Sequence, residues 1–140
     1  MIKYIKNNHK GSIIYKTSND IQTSFFNLTV IKKICIKNFF TYEGFIESFQ
    51  KNFGSKNLIP IYINKNNQFF PIQKVKDYDN IWINFAAVLK IIDEENHVIV
   101  NFIDNTTLIL AQKFSKIEKQ INILKNLEKH ILKRFHSHFY

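Results

Sequence analysis

The chain has 140 residues, 45% of them hydrophobic and 15% aromatic, and a formal net charge of +9. That supports one compact domain with a genuine core and excludes two; no apolar run reaches the roughly 18 residues of a membrane span, and Lys3, Lys6 and Lys10 interrupt the start where a signal peptide would be apolar. Cys35 is the only cysteine, which excludes a disulfide framework or a cysteine-rich zinc site within one copy and fits a reducing cytoplasm.

In chain order, residues 2–5 and 12–15 read as a short hairpin with Gly11 near its turn. Residues 29–38 fit a helix, but the β-branched Val30, Ile31, Ile34 and Ile36 leave a strand open. Thr41 can cap a helix with the apolar face Tyr42, Phe45, Ile46, Phe49 and Phe53, ended by Gly54. Residues 59–64 and 68–73 read as strands joined across Lys65-Asn66-Asn67, with Pro60 and Pro71 holding them to edges or bulges.

The clearest pattern follows. Ile81, Ile83, Phe85, Ala87, Leu89 and Ile91 alternate with Trp82, Asn84, Ala86, Val88 and Lys90, the period-two signature of one strand with one face in the core. Turns at Asp93-Glu94-Glu95-Asn96 and Asp104-Asn105 then separate Val98, Val100 and Phe102 from a strand over residues 106–111, an antiparallel meander. Ser115 and Glu118 form a capping box for a final helix with Ile117, Ile121, Leu124, Leu127, Ile131 and Phe135 on one face. The expected fold is α+β: a single domain in which a curved antiparallel sheet carries two central helical segments and a C-terminal amphipathic helix packed on it, helices to one side.

Catalytic constellations are weak. Cys35 has no local partner base and reads as packing. His130, His136 and His138 sit together near a helix end without an orienting carboxylate, which favours a solvated tail over a metal site, and Asp93-Glu94-Glu95 reads as a charged hairpin tip. With three glycines the chain has no glycine-rich phosphate cradle. Neither an enzyme nor a cofactor is expected.

Charge is more informative. Residues 1–76 carry twelve lysines against Asp20, Glu43 and Glu47, residues 77–112 carry Lys90 against six acids, and residues 113–140 are basic again. Such segregation favours a polyanionic partner, although lysine, asparagine and isoleucine are also what AT-rich codons encode. Lys32, Lys33, Lys37 and Asn38 fall on or at the end of the first helical segment, Lys51 and Asn52 close the second, and Lys56 follows it. The tip Lys65, Asn66, Asn67, preceded by Asn64, is shaped to enter a minor groove, where lysine and asparagine meet adenine N3 and thymine O2. Arg134 is the only arginine, which disfavours bidentate guanine readout.

At these residues the chain resembles the competence transcription factor family, ComK. Cys35, Tyr42 and Gly44 stand in the family's register, followed by Pro60-Ile61, the shorter Asn67-Gln68-Phe69-Phe70-Pro71, the tryptophan strand Asn80-Ile81-Trp82-Ile83-Asn84, and Val100-Asn101-Phe102-Ile103-Asp104-Asn105 with Leu108 and Leu110. The resemblance implies a cytoplasmic, nucleoid-associated activator of DNA-uptake genes that binds paired AT-rich boxes of double-stranded DNA, largely from the minor-groove side, as a homodimer or higher assembly. Two departures stand out: Phe45-Ile46 replaces a basic pair, so any contact made by that pair is lost or moved to Lys51 and Lys56, and the short start and tail disfavour, without excluding, the family's control by a proteolytic adaptor. The family's DNA contacts do not transfer residue by residue, so the expected contacts rest on charge and position. The alternative is a shortened interaction module that no longer binds DNA and pairs with a full-length factor through Trp82 and the meander. Membrane binding through the last helix is disfavoured because its apolar face is needed for the core.

Overall fold

The computed structural model describes the backbone of residues 1–139 and the side chains of residues 1–133. Phe135, His136 and His138 therefore have side chains outside the described residues. The chain folds as α+β. Strands β1 (Ile2–Asn8), β2 (Gly11–Lys16) and β3 (Ile21–Thr23) precede helices α1 (Asn27–Lys37) and α2 (Tyr42–Phe53). Then come β4 (Ile61–Asn64), β5 (Asn67–Pro71), β6 (Ile81–Asn84), β7 (Val88–Asp93), β8 (Val98–Phe102), β9 (Thr107–Leu110) and α3 (Phe114–Phe139).

The strands form an antiparallel sheet ordered β3-β2-β1-β6-β5-β4 and a second one ordered β7-β8-β9. The first closes over a long sequence separation: Ile5 lies opposite Trp82 and Phe70 opposite Ile83. Gly11 makes the turn at φ 136, and a Cβ there would collide with the Thr23 carbonyl oxygen, so β3 can lie this close only against glycine. Pro60 precedes edge strand β4, and Pro71 ends β5 beyond the last β4 pairing, so neither interrupts a ladder.

The alternating run at 81–91 is not one strand. After β6 the Asn84 side chain caps a short 3₁₀ turn, Phe85–Ala87, by accepting from the Ala86 N–H, and the chain leaves for the other sheet. Leu89, expected inside, is 60% exposed, whereas Trp82, placed on the more polar face, is fully buried. The cause is burial on both sides. One face of the six-stranded sheet, with Ile5, Trp82, Phe69 and Ile61, packs on Val30, Ile31 and Cys35 of α1. The other, with Phe70, Ile81 and Ile83, packs on Val98, Val100 and Phe102 of the meander and Ile117, Leu124 and Leu127 of α3. The helices thus cover both faces instead of one side, and α2 straddles the two cores, with Phe49 in one and Tyr42 against the other.

Helix boundaries follow local chemistry. The segment expected at residues 29–38 is helical over Asn27–Lys37 despite its β-branched content, because Val30, Ile31 and Cys35 form a stripe that the sheet buries and Asn7 from β1 accepts the Asn27 N–H at 2.7 Å. Thr41 caps α2 by accepting from the Gly44 N–H at 3.0 Å, and Gly54 ends it at φ 83. Helix α3 begins at Phe114, so Ser115 is already helical and does not occupy the cap position. Its buried stripe ends at Leu127; Ile131 is 43% exposed.

Asn84, fully buried, joins these parts. Its Oδ1 accepts from the Gln68 and Ala86 N–H groups, and its Nδ2 donates to the Ile2 carbonyl at 2.8 Å and the Asn66 carbonyl at 2.9 Å. Every hydrogen-bonding site of the amide that geometry allows is used, and one bond reaches the β4–β5 hairpin tip. Asn84→Ala strands several buried backbone groups and should lower unfolding free energy by about 2–4 kcal/mol, read by urea titration; a loss under about 1 kcal/mol would contradict this role.

Candidate nucleic-acid interface

Helix α1 stops in a left-handed turn. The Phe39 N–H donates to the Ile36 carbonyl at 3.0 Å and the Phe40 N–H to the Cys35 carbonyl at 3.3 Å, the paired bonds of a Schellman motif, with Asn38 as the cap. Phe39 holds the position glycine favours, at φ 68. The Asn38 Nδ2 donates to the Ile34 carbonyl at 2.8 Å, and its Oδ1 accepts from the Asn64 Nδ2 at 3.1 Å. That last bond ties the end of α1 to the β4–β5 hairpin.

At the tip, the Asn64 Oδ1 accepts from the Asn66 N–H at 3.0 Å and the Asn67 Nδ2 at 3.1 Å, while the Gln68 Nε2 donates to the Lys65 carbonyl at 3.0 Å. The connection is tighter than expected, since β5 already includes Asn67. Lys65 and Asn66 project into solvent. Fixing the tip by its own asparagines removes conformational freedom that a free loop would lose on binding.

The ten residues expected from sequence separate into groups. Lys37 and Asn38 at the end of α1 adjoin Lys65, Asn66 and Asn67 through the Asn38–Asn64 bond, and Lys33 lies one turn before Lys37 with its ammonium 4.4 Å from the Phe25 ring centre. Lys32 turns instead toward α2, where it pairs with Glu43 at 2.9 Å and lies over Tyr42. This pairing lowers the Glu43 carboxyl below its usual range. Lys51 pairs with Glu47 at 3.0 Å along α2, and the Asn52 Nδ2 donates to the Ser48 carbonyl. Lys56 lines a groove with Lys116, Lys119 and Gln120 of α3, with the Gln120 Nε2 donating to the Leu58 carbonyl at 3.1 Å. Lys116 and Lys119 were missed because only the tertiary fold brings the start of α3 beside Lys56; their own helical spacing reads as solvated surface.

The other candidates resolve differently. Cys35 is fully buried, and burial, aided by the Glu43 carboxylate, pushes its thiol up to about 11. His130 is half-buried, its ring edge-on to Phe53 at 5.4 Å, which places it in packing and not in a solvated tail. Asp93, Glu94 and Glu95 lie beside Lys113 and Ser115 at the start of α3, away from the α1 corner. Among the described residues no cluster of His, Cys, Asp and Glu could hold a metal ion, and no helix is long and apolar enough to cross a membrane. Trp82, which the interaction-module alternative needs at the surface, has no exposed area and meets Tyr42 edge to face at 6.3 Å.

The thiol offers a direct check. Raising a thiol from 9.0 to about 11 cuts its thiolate at pH 8 about a hundredfold, so the native chain should react with iodoacetamide at least that much more slowly than the urea-unfolded chain. Equal rates would contradict the packing of α1 on the sheet.

No curated protein and no solved structure matches the chain. One family does: the sequence profile of the ComK protein family matches residues 1–136. That match spans the central strand, the hairpin and the α1 corner, and nearly the whole of the chain. The chain therefore belongs to the ComK family of competence transcription factors.

Proposed function

We propose that this regulator binds AT-rich double-stranded DNA through the corner formed by the end of α1 and the β4–β5 hairpin, largely from the minor-groove side, and activates competence genes for DNA uptake. The observation that carries the reading is the Asn38–Asn64 bond of 3.1 Å, which unites two segments chosen separately for lysine and asparagine. Beside it stand Lys37 and Lys65, neither of which makes an ion pair among the described residues, while the Lys33 ammonium lies over Phe25 before the start of α1. Free ammonium groups neutralise phosphates and release counterions, whereas asparagine amides can donate to the adenine N3 and thymine O2 acceptors of the minor groove. Lys32 and Lys51 already have carboxylate partners and contribute less.

Gel-shift titrations on an AT-box duplex and a GC-only duplex test this directly. Preference for the AT duplex, and its loss to a minor-groove ligand such as netropsin, is the expected result; equal affinity for both, or no binding at low salt, contradicts it. Lys37→Ala and Lys65→Ala should each reduce the slope of log K against log salt by about 0.9, while Lys32→Ala and Lys51→Ala leave it nearly unchanged.

The reading includes two copies on one DNA. Ile92, Ile99 and Ile109 lie side by side on the face of the β7–β9 sheet turned away from Val100, and Ile109 is 65% exposed. An apolar row of this kind suits a self-complementary contact. Ile109→Lys should lower the mass of the protein–DNA complex in light scattering by one copy of the chain, 16.7 kDa, and leave the thermal midpoint of the free chain nearly unchanged; an undiminished complex would exclude this face.

A further inference from the structure

Phe39 is the least covered large apolar side chain in the described structure, at 98% exposed, and it sits at φ 68 in the one position of the α1 cap where glycine would be free of strain. Hydration and backbone sterics both oppose phenylalanine there. Its neighbour shows the contrast: Phe40 turns inward against Phe45, ring centres 6.2 Å apart, so the fold uses one ring of the pair and leaves the other outside. Ile36, a turn earlier on α1, is 60% exposed as well.

The exposed ring is not on a loose loop. Two backbone hydrogen bonds to Ile36 and Cys35 fix its peptide, and Asn38, the preceding residue, is bonded to the hairpin through Asn64. Lys37 lies on one side of it in sequence, and Lys65 lies across the Asn38–Asn64 bridge. A rigid apolar ring set among cations and amides suits a partner that is anionic outside and offers flat apolar surfaces within. Stacked base pairs between phosphate chains have that chemistry; an apolar protein surface would not call for the flanking lysines. AT-rich DNA adds flexible TA steps, which unstack most readily.

Resting on the DNA reading above, we infer that Phe39 is a wedge that inserts from the minor groove between the base pairs of a flexible step when the α1 corner docks. Wedges of this kind partly unstack the step they enter. The left-handed backbone aims the ring outward, and its rigidity limits the entropy lost on insertion.

An AT-box duplex with 2-aminopurine at a TA step tests the inference with the full chain. The wild-type protein at saturation should raise 2-aminopurine fluorescence severalfold. Phe39→Gly should abolish that rise and weaken binding about tenfold to a hundredfold, the range expected for losing one aromatic–base stack, while raising the thermal midpoint of the free protein by relieving the left-handed strain. Phe39→Leu should retain part of the signal, and Lys37→Ala, taken to saturation, should retain all of it.

The outcomes separate the two claims. If the wild-type chain does not bind the AT duplex, the DNA reading falls and the wedge with it. Tight binding without a fluorescence change sinks the wedge alone, as would a Phe39→Gly protein whose affinity and signal match the wild type. A Phe39→Gly change in oligomeric state without DNA would assign the ring to a protein contact and overturn the inference.

Discussion

Strand β6 is buried on both faces, and the rest of the molecule is arranged around that burial. Ile81, Trp82, Ile83 and Asn84 are each nearly or wholly inaccessible, with α1 and α2 against the Trp82 side and the meander and α3 against the Ile83 side. Burying large apolar side chains such as Trp82 and Ile83 contributes about 1.5–3 kcal/mol each. The arrangement also forces the chain to use Asn84 as a polar junction, because its amide is the group that can satisfy the backbone of β1, the hairpin and the 3₁₀ turn at once. The candidate DNA-binding corner inherits its geometry from there. Asn84 holds Asn66, Asn64 holds Asn38, and Asn38 ends the helix that carries Lys33 and Lys37.

Much of this was visible in the sequence where the signal is local. The Thr41 cap, Gly54, the Gly11 turn and the Val98, Val100, Phe102 face each follow from short-range chemistry, and the structure forms them as read. The run at 81–91 failed for an equally physical reason. Alternation distinguishes inside from outside only when one side is solvent, and here both sides are protein; the apolar period then continues unbroken through a 3₁₀ turn that moves the chain to another sheet. Nothing within residues 1–16 indicates that Ile5 will meet Trp82, because that pairing is set by what the sheet must bury and not by either segment alone.

The site was legible as composition and not as geometry. Lysine and asparagine density marked the end of α1 and the hairpin tip, but Glu43 and Glu47 entered only as charges in a sum, and it is the helices that set Glu43 against Lys32 across two elements and Glu47 against Lys51 along α2. Lys56 faces α3, on the side of the sheet opposite α1, so a list drawn from one stretch of sequence divides between two surfaces. Phe39 was invisible for a simpler reason. Beside Phe40 it reads as core, and only its exposure and its left-handed φ reveal that the fold has no use for it.

If the α1 corner is the contact surface, it should respond as a unit when DNA is added. A ¹⁵N-labelled chain titrated with an AT-rich duplex provides that measurement, amide by amide. The account predicts that the largest shifts cluster at residues 33–40 and 64–67, with little change along the groove of Lys56, Lys116 and Lys119. Shifts centred on that groove, with the hairpin tip and the end of α1 silent, would contradict it.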